Sequence, residues 1–108
     1  MSEVTRSKTF FVPGGRLSVR EGVSPKDMRS VFGKPNMGKA PDGKTTATWH
    51  FATPHGEVSI YDFWDNPGNM SIGGTDRKAA DCLHSFLDAM GLGQRCQASE
   101  ERDSFSFL

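Results

Sequence analysis

The chain has 108 residues, enough for one core and too few for two, and its 13 Lys/Arg balance 13 Asp/Glu, which removes the bulk attraction that general DNA and RNA binders depend on. No apolar run approaches the ~20 residues needed to span a bilayer, and the polar stretch Met1–Lys8 has no hydrophobic segment behind it, so neither a membrane partner nor export is expected and the location read from the sequence is the cytoplasm. Cys82 and Cys96 are the only cysteines, far apart and outside any C-x-x-C pair, so both are expected as free thiols and no metal or other cofactor is implied.

In chain order, Thr9–Val12, a Pro13-Gly14-Gly15 turn and the alternating Leu17-Ser18-Val19 predict a short strand or hairpin over 9–19. A helix should start at Ser24: the serine suits the N-cap, Pro25 the first helical position, Asp27 the N3 position, and Val23 can pack back onto Met28. Met28, Val31 and Phe32 give it one apolar face, and Gly33 followed by Lys34-Pro35 stops it near residue 32. Residues 33–44, rich in Gly, Pro and Lys, read as a loop.

Thr46–Thr53 alternates β-branched and aromatic residues with polar ones, a strand signature. Thr53-Pro54-His55-Gly56 supplies a tight turn into a second strand ending near Trp64, so 46–64 is the central hairpin. The turn calls for Gly56 at positive φ in a glycine bulge, which fixes the register with Thr53 opposite Glu57, so Trp49, Phe51, Tyr61 and Phe63 share one face, with Val58, Ile60, Ala52, His50, Thr48 and Asp62 on the other. Asp65–Asn69 is a further turn into a third strand, Met70-Ser71-Ile72, ended by Gly73-Gly74. Thr75 or Asp76 then caps a helix whose apolar positions Ala79, Ala80, Leu83, Phe86, Leu87 and Met90 recur every three or four residues, with Gly91 as its stop. The fold class is α+β: an antiparallel sheet of three to five strands packed against a C-terminal helix, with a short helix near 25–32. Residues 1–92 form the domain, and 93–108 a polar tail ending in the apolar Phe105–Leu108.

Two strings could bind phosphate. Gly38-Lys39-Ala40-Pro41-Asp42-Gly43-Lys44-Thr45 matches G-x-x-x-x-G-K-[ST] letter for letter, yet a working P-loop follows a buried strand and opens a helix, whereas here a helix precedes and a strand follows. Ile72-Gly73-Gly74-Thr75-Asp76-Arg77-Lys78 is the better candidate, because a strand running through two glycines into a helix start exposes backbone donors beside two cations. Asp76 would oppose an anion there, and Gly-Gly before a capped helix is often only a tight turn. The aromatic sheet face could stack on a base, although packing against the last helix is the plainer account. Trp64, at the strand end, is harder to absorb into a core and is the aromatic chosen as a ligand contact. His50, Thr48 and Asp62 fall close together but lack an activated nucleophile, and His55 and His84 stand apart without ligand spacing.

Charge is unevenly spread: residues 1–46 hold nine Lys/Arg and four Asp/Glu, residues 47–108 four and nine. That split points weakly to an anionic ligand or a dipolar partner face. From Gly33 onward, the lysine and glycine loop, the string TTATWHFATPHGEVSIYDFW and Ser71-Ile72-Gly73-Gly74 before an amphipathic helix resemble a group of small accessory proteins of tailed bacteriophages, over roughly residues 28–90. The resemblance implies action by binding in the host cytoplasm, as an antagonist of host defence. Three functions are thus open. The first is a non-enzymatic binder that sequesters a small anionic nucleotide signal, with Gly73, Gly74, Thr75, Arg77, Lys78, Trp64, Lys39 and Lys44 as the ligand-binding set. The second is an inhibitor that binds and blocks a host enzyme or immune effector, and the third, an enzyme, has the least support. An edge strand and an apolar C-terminus make a homodimer or higher homo-oligomer a further expectation.

Overall fold

A computed structural model describes residues 3–8, 15–63 and 68–96. Thr9–Val12, Trp64 to Pro67 and everything after Cys96 lie outside the described residues, and with them the expected strand at 9–12, the ligand contact Trp64 and the apolar end Phe105–Leu108. The elements are β1 (Thr5–Arg6), β2 (Arg16–Glu21), α1 (Pro25–Phe32), β3 (Thr48–Thr53), β4 (Gly56–Tyr61), β5 (Asn69–Gly74), α2 (Arg77–Met90) and β6 (Gln94–Arg95). The strands form one antiparallel sheet in the order β1-β3-β4-β5-β2-β6. The class is α+β as expected, with six strands instead of three to five. The two extra strands are two-residue margins that no hydrophobic pattern can announce. One of them, β6, carries the sheet past residue 92.

Both helices are written locally. Ser24 and Asp27 close a reciprocal capping box: the Asp27 N–H donates to Ser24 Oγ at 3.2 Å and the Ser24 N–H to Asp27 Oδ2 at 3.0 Å. Asp76 caps α2 by accepting the Lys78 N–H at 2.8 Å, and Gly91 stops it in the left-handed conformation, φ 73°. Ala79, Ala80, Leu83 and Leu87 are buried as the periodicity requires, Phe86 is half-buried, and Met90 is left 45% exposed.

The hairpin register departs from expectation by one residue. Thr53 pairs with Gly56, Phe51 with Val58, Trp49 with Ile60 and Thr48 with Tyr61. Pro54 and His55 therefore form a two-residue loop without a bulge, although Gly56 does take the positive φ, 120°, that the turn was expected to need. A one-residue slip turns every β4 side chain to the opposite face. Trp49 and Phe51 consequently share the core face with Val58, Ile60, Met70 and Ile72, while Tyr61 joins Thr48, His50, Ser59 and Ser71 on the other. Phe63 follows Tyr61, its ring edge-on at 6.3 Å.

Both helices pack on the Trp49/Phe51 face. Phe32 of α1 meets Phe51 edge-on at 5.2 Å and Phe86 of α2 at 5.9 Å. Trp49 is fully buried and donates its indole N–H to the Gly33 carbonyl at 3.1 Å, which satisfies its polar atom and pins the end of α1. Burying Trp49, Phe51, Ile60, Ile72, Leu83 and Leu87 completely contributes roughly 2 kcal/mol per side chain before conformational entropy is charged against it.

Candidate binding site

The glycine pair expected to cradle phosphate lies inside the sheet. Gly73 pairs with Ser59 on one side and Arg16 on the other, Gly74 pairs with Val58, and both residues are buried. The Gly74 N–H donates to the Gly15 carbonyl at 3.4 Å. A side chain at Gly74 would put its Cβ 3.2 Å from the Glu57 carbonyl oxygen, so glycine there lets β4 and β5 approach. Three amides in the first turn of α2 are occupied as well. The Lys78 N–H goes to the Asp76 carboxylate, and the Ala79 and Ala80 N–H groups to the Asp76 carbonyl at 3.0 and 3.3 Å. A carboxylate of the chain's own stands where an anion would sit. Thr75, Arg77 and Lys78 are exposed beside it, with Arg77 donating to the Leu17 carbonyl at 3.2 Å.

Lys44 belongs to the opposite end of the sheet. It lines a cavity of about 300 Å³ with Ser24, Asp62, Phe63 and Asn69, and Asn69 and Gly74 are the two ends of β5, roughly 17 Å apart at the rise of a strand. Gly73, Gly74, Thr75, Arg77 and Lys78 therefore form one group and Lys44 another, too distant to share one small anion. Lys39 is exposed on the same loop as Lys44, and that loop is folded on itself: Ala40 exchanges bonds with Thr45 and Gly43, and the Lys44 N–H goes to Asp42 at 3.0 Å. The chain continues into β3 with no helix, so the P-loop letters have none of the geometry that makes them bind phosphate.

A wider concavity than the Lys44 cavity lies elsewhere. A groove of about 670 Å³ runs between the β3–β4 loop (Pro54, His55), the N-terminal Glu3 and Val4, and the outward stripe of α2, where Lys78, Cys82, Ser85 and Ala89 follow at three- and four-residue spacing with Asp81 beside them. Small side chains along the helix make the groove, and Glu3, Asp81 and Lys78 give its walls charges of both signs. Among the described residues of the expected ligand set, only Lys78 lines it.

The histidines and their neighbours are rearranged relative to the sequence reading. His50 is fully buried and meets Ser59 through Nδ1 at 2.7 Å, and its N–H donates to Asn36 Oδ1 at 2.9 Å. Burial, and secondarily the Arg6 charge, pull its pKa below the ordinary histidine value. Asp62 faces away from His50. Its carboxylate accepts from the Thr46 hydroxyl and from the N–H groups of Thr46 and Ala47, each amide at 2.9 Å. Desolvation would raise its pKa, but these hydrogen bonds outweigh it and lower it. Asp62 thus fastens the start of β3 and is no partner for His50.

His84, expected to stand apart, is buried with Nε2 2.7 Å from Ser18 Oγ and Nδ1 3.2 Å from Arg20 Nη1. A guanidinium can only donate, so Nδ1 must accept and Nε2 must carry the proton toward Ser18. That polarity is the reverse of a general base activating a serine. A periodicity count that admitted His84 beside Ala80, Leu83 and Leu87 would have put it inside; nothing in the pattern announces that Arg20 is fully buried.

Among the described residues no three His, Cys, Asp or Glu side chains gather into a metal-holding group, both cysteines are free thiols, and no helix is long and apolar enough to cross a membrane. No family model, no curated protein and no solved structure matches the chain.

Proposed function

We propose that this chain is a non-enzymatic binding protein of the phage type that blocks a host enzyme or immune effector by docking it along the groove between the β3–β4 loop and α2. The observation that carries this reading is the groove itself. Its walls are mixed-charge side chains around a floor of small ones, which suits a protein surface better than a phosphate, while the Gly74, Lys78, Ala79 and Ala80 amides at the glycine turn are spent within the fold. Ser85 is exposed in the groove, so Ser85→Arg fills it without disturbing the core. Tagged protein incubated with bacterial lysate should retain a stoichiometric partner that Ser85→Arg loses and Lys44→Ala keeps. Equal capture by all three proteins, or by none, would rule out this surface.

A second reading, sequestration of a small anionic nucleotide, draws support from the cavity at the other end of the sheet, where Lys44 and the Phe63 ring lie together in about 300 Å³. A tight ligand raises the unfolding temperature by mass action. Scanning fluorimetry with cyclic oligonucleotides and ADP-ribose derivatives separates the two: a shift abolished by Lys44→Ala and kept by Ser85→Arg favours the nucleotide, and no shift with any compound sets it aside.

A further inference from the structure

Arg20 is 0% exposed, an unusual place for a guanidinium, and all three of its nitrogens are engaged. Nε donates to the Leu92 carbonyl at 2.8 Å. Nη2 donates to the Gly93 carbonyl at 2.9 Å and to Asp88 at 2.7 Å. Nη1 meets His84 Nδ1 at 3.2 Å. One side chain of β2 therefore ties α2 to the turn that delivers β6. Among the described residues, β6 is also held by two residue pairs, the Cys96 N–H to the Val19 carbonyl at 3.0 Å, a Gln94–Glu21 side-chain bond and the Arg95–Asp81 pair.

We propose that the Ser18–His84–Arg20 chain is an acid-opened latch, in which protonation of His84 releases Arg20 from the Leu92–Gly93 turn and frees β6 from the sheet. Neutral His84 already has its proton on Nε2, so a second proton from solvent must go to Nδ1. That N–H would point at Arg20 Nη1, setting donor against donor and cation against cation where His84 is only 2% exposed. The guanidinium relieves the clash by withdrawing, and in doing so breaks its bonds to Leu92 and Gly93. Among the described residues, these charged groups face the ring and its partner. Arg20 approaches from β2, and Asp88 of α2 holds Arg20 by its far amine with a carboxylate that is 64% exposed. From β6 comes Arg95, already paired with Asp81, and β4 and β5 meet α2 with the apolar Val58, Ile60, Met70 and Ile72.

The test is amide hydrogen exchange followed by NMR. Between about pH 7.5 and about pH 5, the range in which histidine changes charge, the protection factor of the Cys96 amide should fall about tenfold or more while that of Ile60 in β4 holds. His84→Asn, whose side-chain oxygen can accept from Arg20 but cannot be protonated, should remove the response, and His50→Gln should keep it. Should His84→Asn not fold, long-range proton–nitrogen spectra of the unmodified protein decide: the proton on Nε2 at neutral pH supports the latch, and the proton on Nδ1 overturns it. Unchanged Cys96 protection, or Cys96 and Ile60 losing protection together, also overturns it.

Discussion

Two arginines, one near each margin of the sheet, fasten the two helices where their chains leave them, and they do so in opposite surroundings. Arg6 of β1 donates to the Phe32 carbonyl at 2.6 Å, the Lys34 carbonyl at 3.0 Å and Asn36 Oδ1 at 2.8 Å, so it caps the end of α1 and holds the loop that follows. It is half-buried, leans over the Phe51 ring at 5.8 Å, and its Nε has no acceptor among the described residues. Arg20 performs the equivalent task for α2 while fully buried, with every nitrogen matched. A charge is tolerated in a small core only when its hydrogen bonds are complete. The completely matched arginine should therefore matter more than the half-matched one.

Replacing each arginine by methionine, which keeps the apolar stem, tests that ranking directly. Arg20→Met leaves the Leu92 and Gly93 carbonyls without their donor and should cost about 3–5 kcal/mol in urea unfolding. Arg6→Met, whose partners can turn to water, should cost about 1–2 kcal/mol. The reverse order would break the comparison.

Gly93 sharpens the comparison from the side of the acceptor. Its φ is 70°, and a Cβ there would lie 2.3 Å from the Glu21 carbonyl oxygen. Gly93→Ala must push the turn off β2 and away from Arg20, and should destabilise by roughly 2–3 kcal/mol. Loss of the Cys96 amide's protection ahead of the core would mark the damage as local to β6.

The smallest expected effect is on the Arg6 side and depends on pH. His50 has its folded pKa held below the unfolded value, so the unfolded chain binds the extra proton more readily. The stability this gives is present above about pH 6.5 and is lost progressively as pH falls below that value toward the lower folded pKa. His50→Gln should flatten the dependence of the urea midpoint on pH in that window, and an equally steep profile would place the titration elsewhere.

What could be read from the sequence was whatever a few neighbouring residues decide. Ser24, Pro25 and Asp27 specify the start of α1 among themselves, and Asp76, Gly91 and the spacing of Ala80, Leu83 and Leu87 do the same for α2. The hairpin was legible but its register was not, because Gly56 has positive φ whether or not a bulge follows, and only packing of Val58 and Ile60 under α2 decides between the two. Short strands held by distant side chains were invisible: β1 and β6 take their places through Arg6 and Arg20, whose partners lie 26 to 73 residues away in sequence. The candidate site failed for a related reason. Gly73-Gly74 before a capped helix has the same letters whether its amides face solvent or a neighbouring strand, and β2, on the far side of β5, comes from a part of the chain more than fifty residues earlier. The groove beside Ser85 was not legible, since it exists only where the β3–β4 loop and α2 come together.

The claim on which the functional account rests is that the partner docks at the groove rather than at the glycine turn. Once a partner is in hand, its affinity for Ser85→Arg and for Thr75→Arg can be compared by titration calorimetry, both residues being exposed. The account predicts a loss of about a hundredfold or more for Ser85→Arg, as expected for a bulky charge in the centre of an interface, and little change for Thr75→Arg. Full affinity of Ser85→Arg together with lost affinity of Thr75→Arg would contradict it.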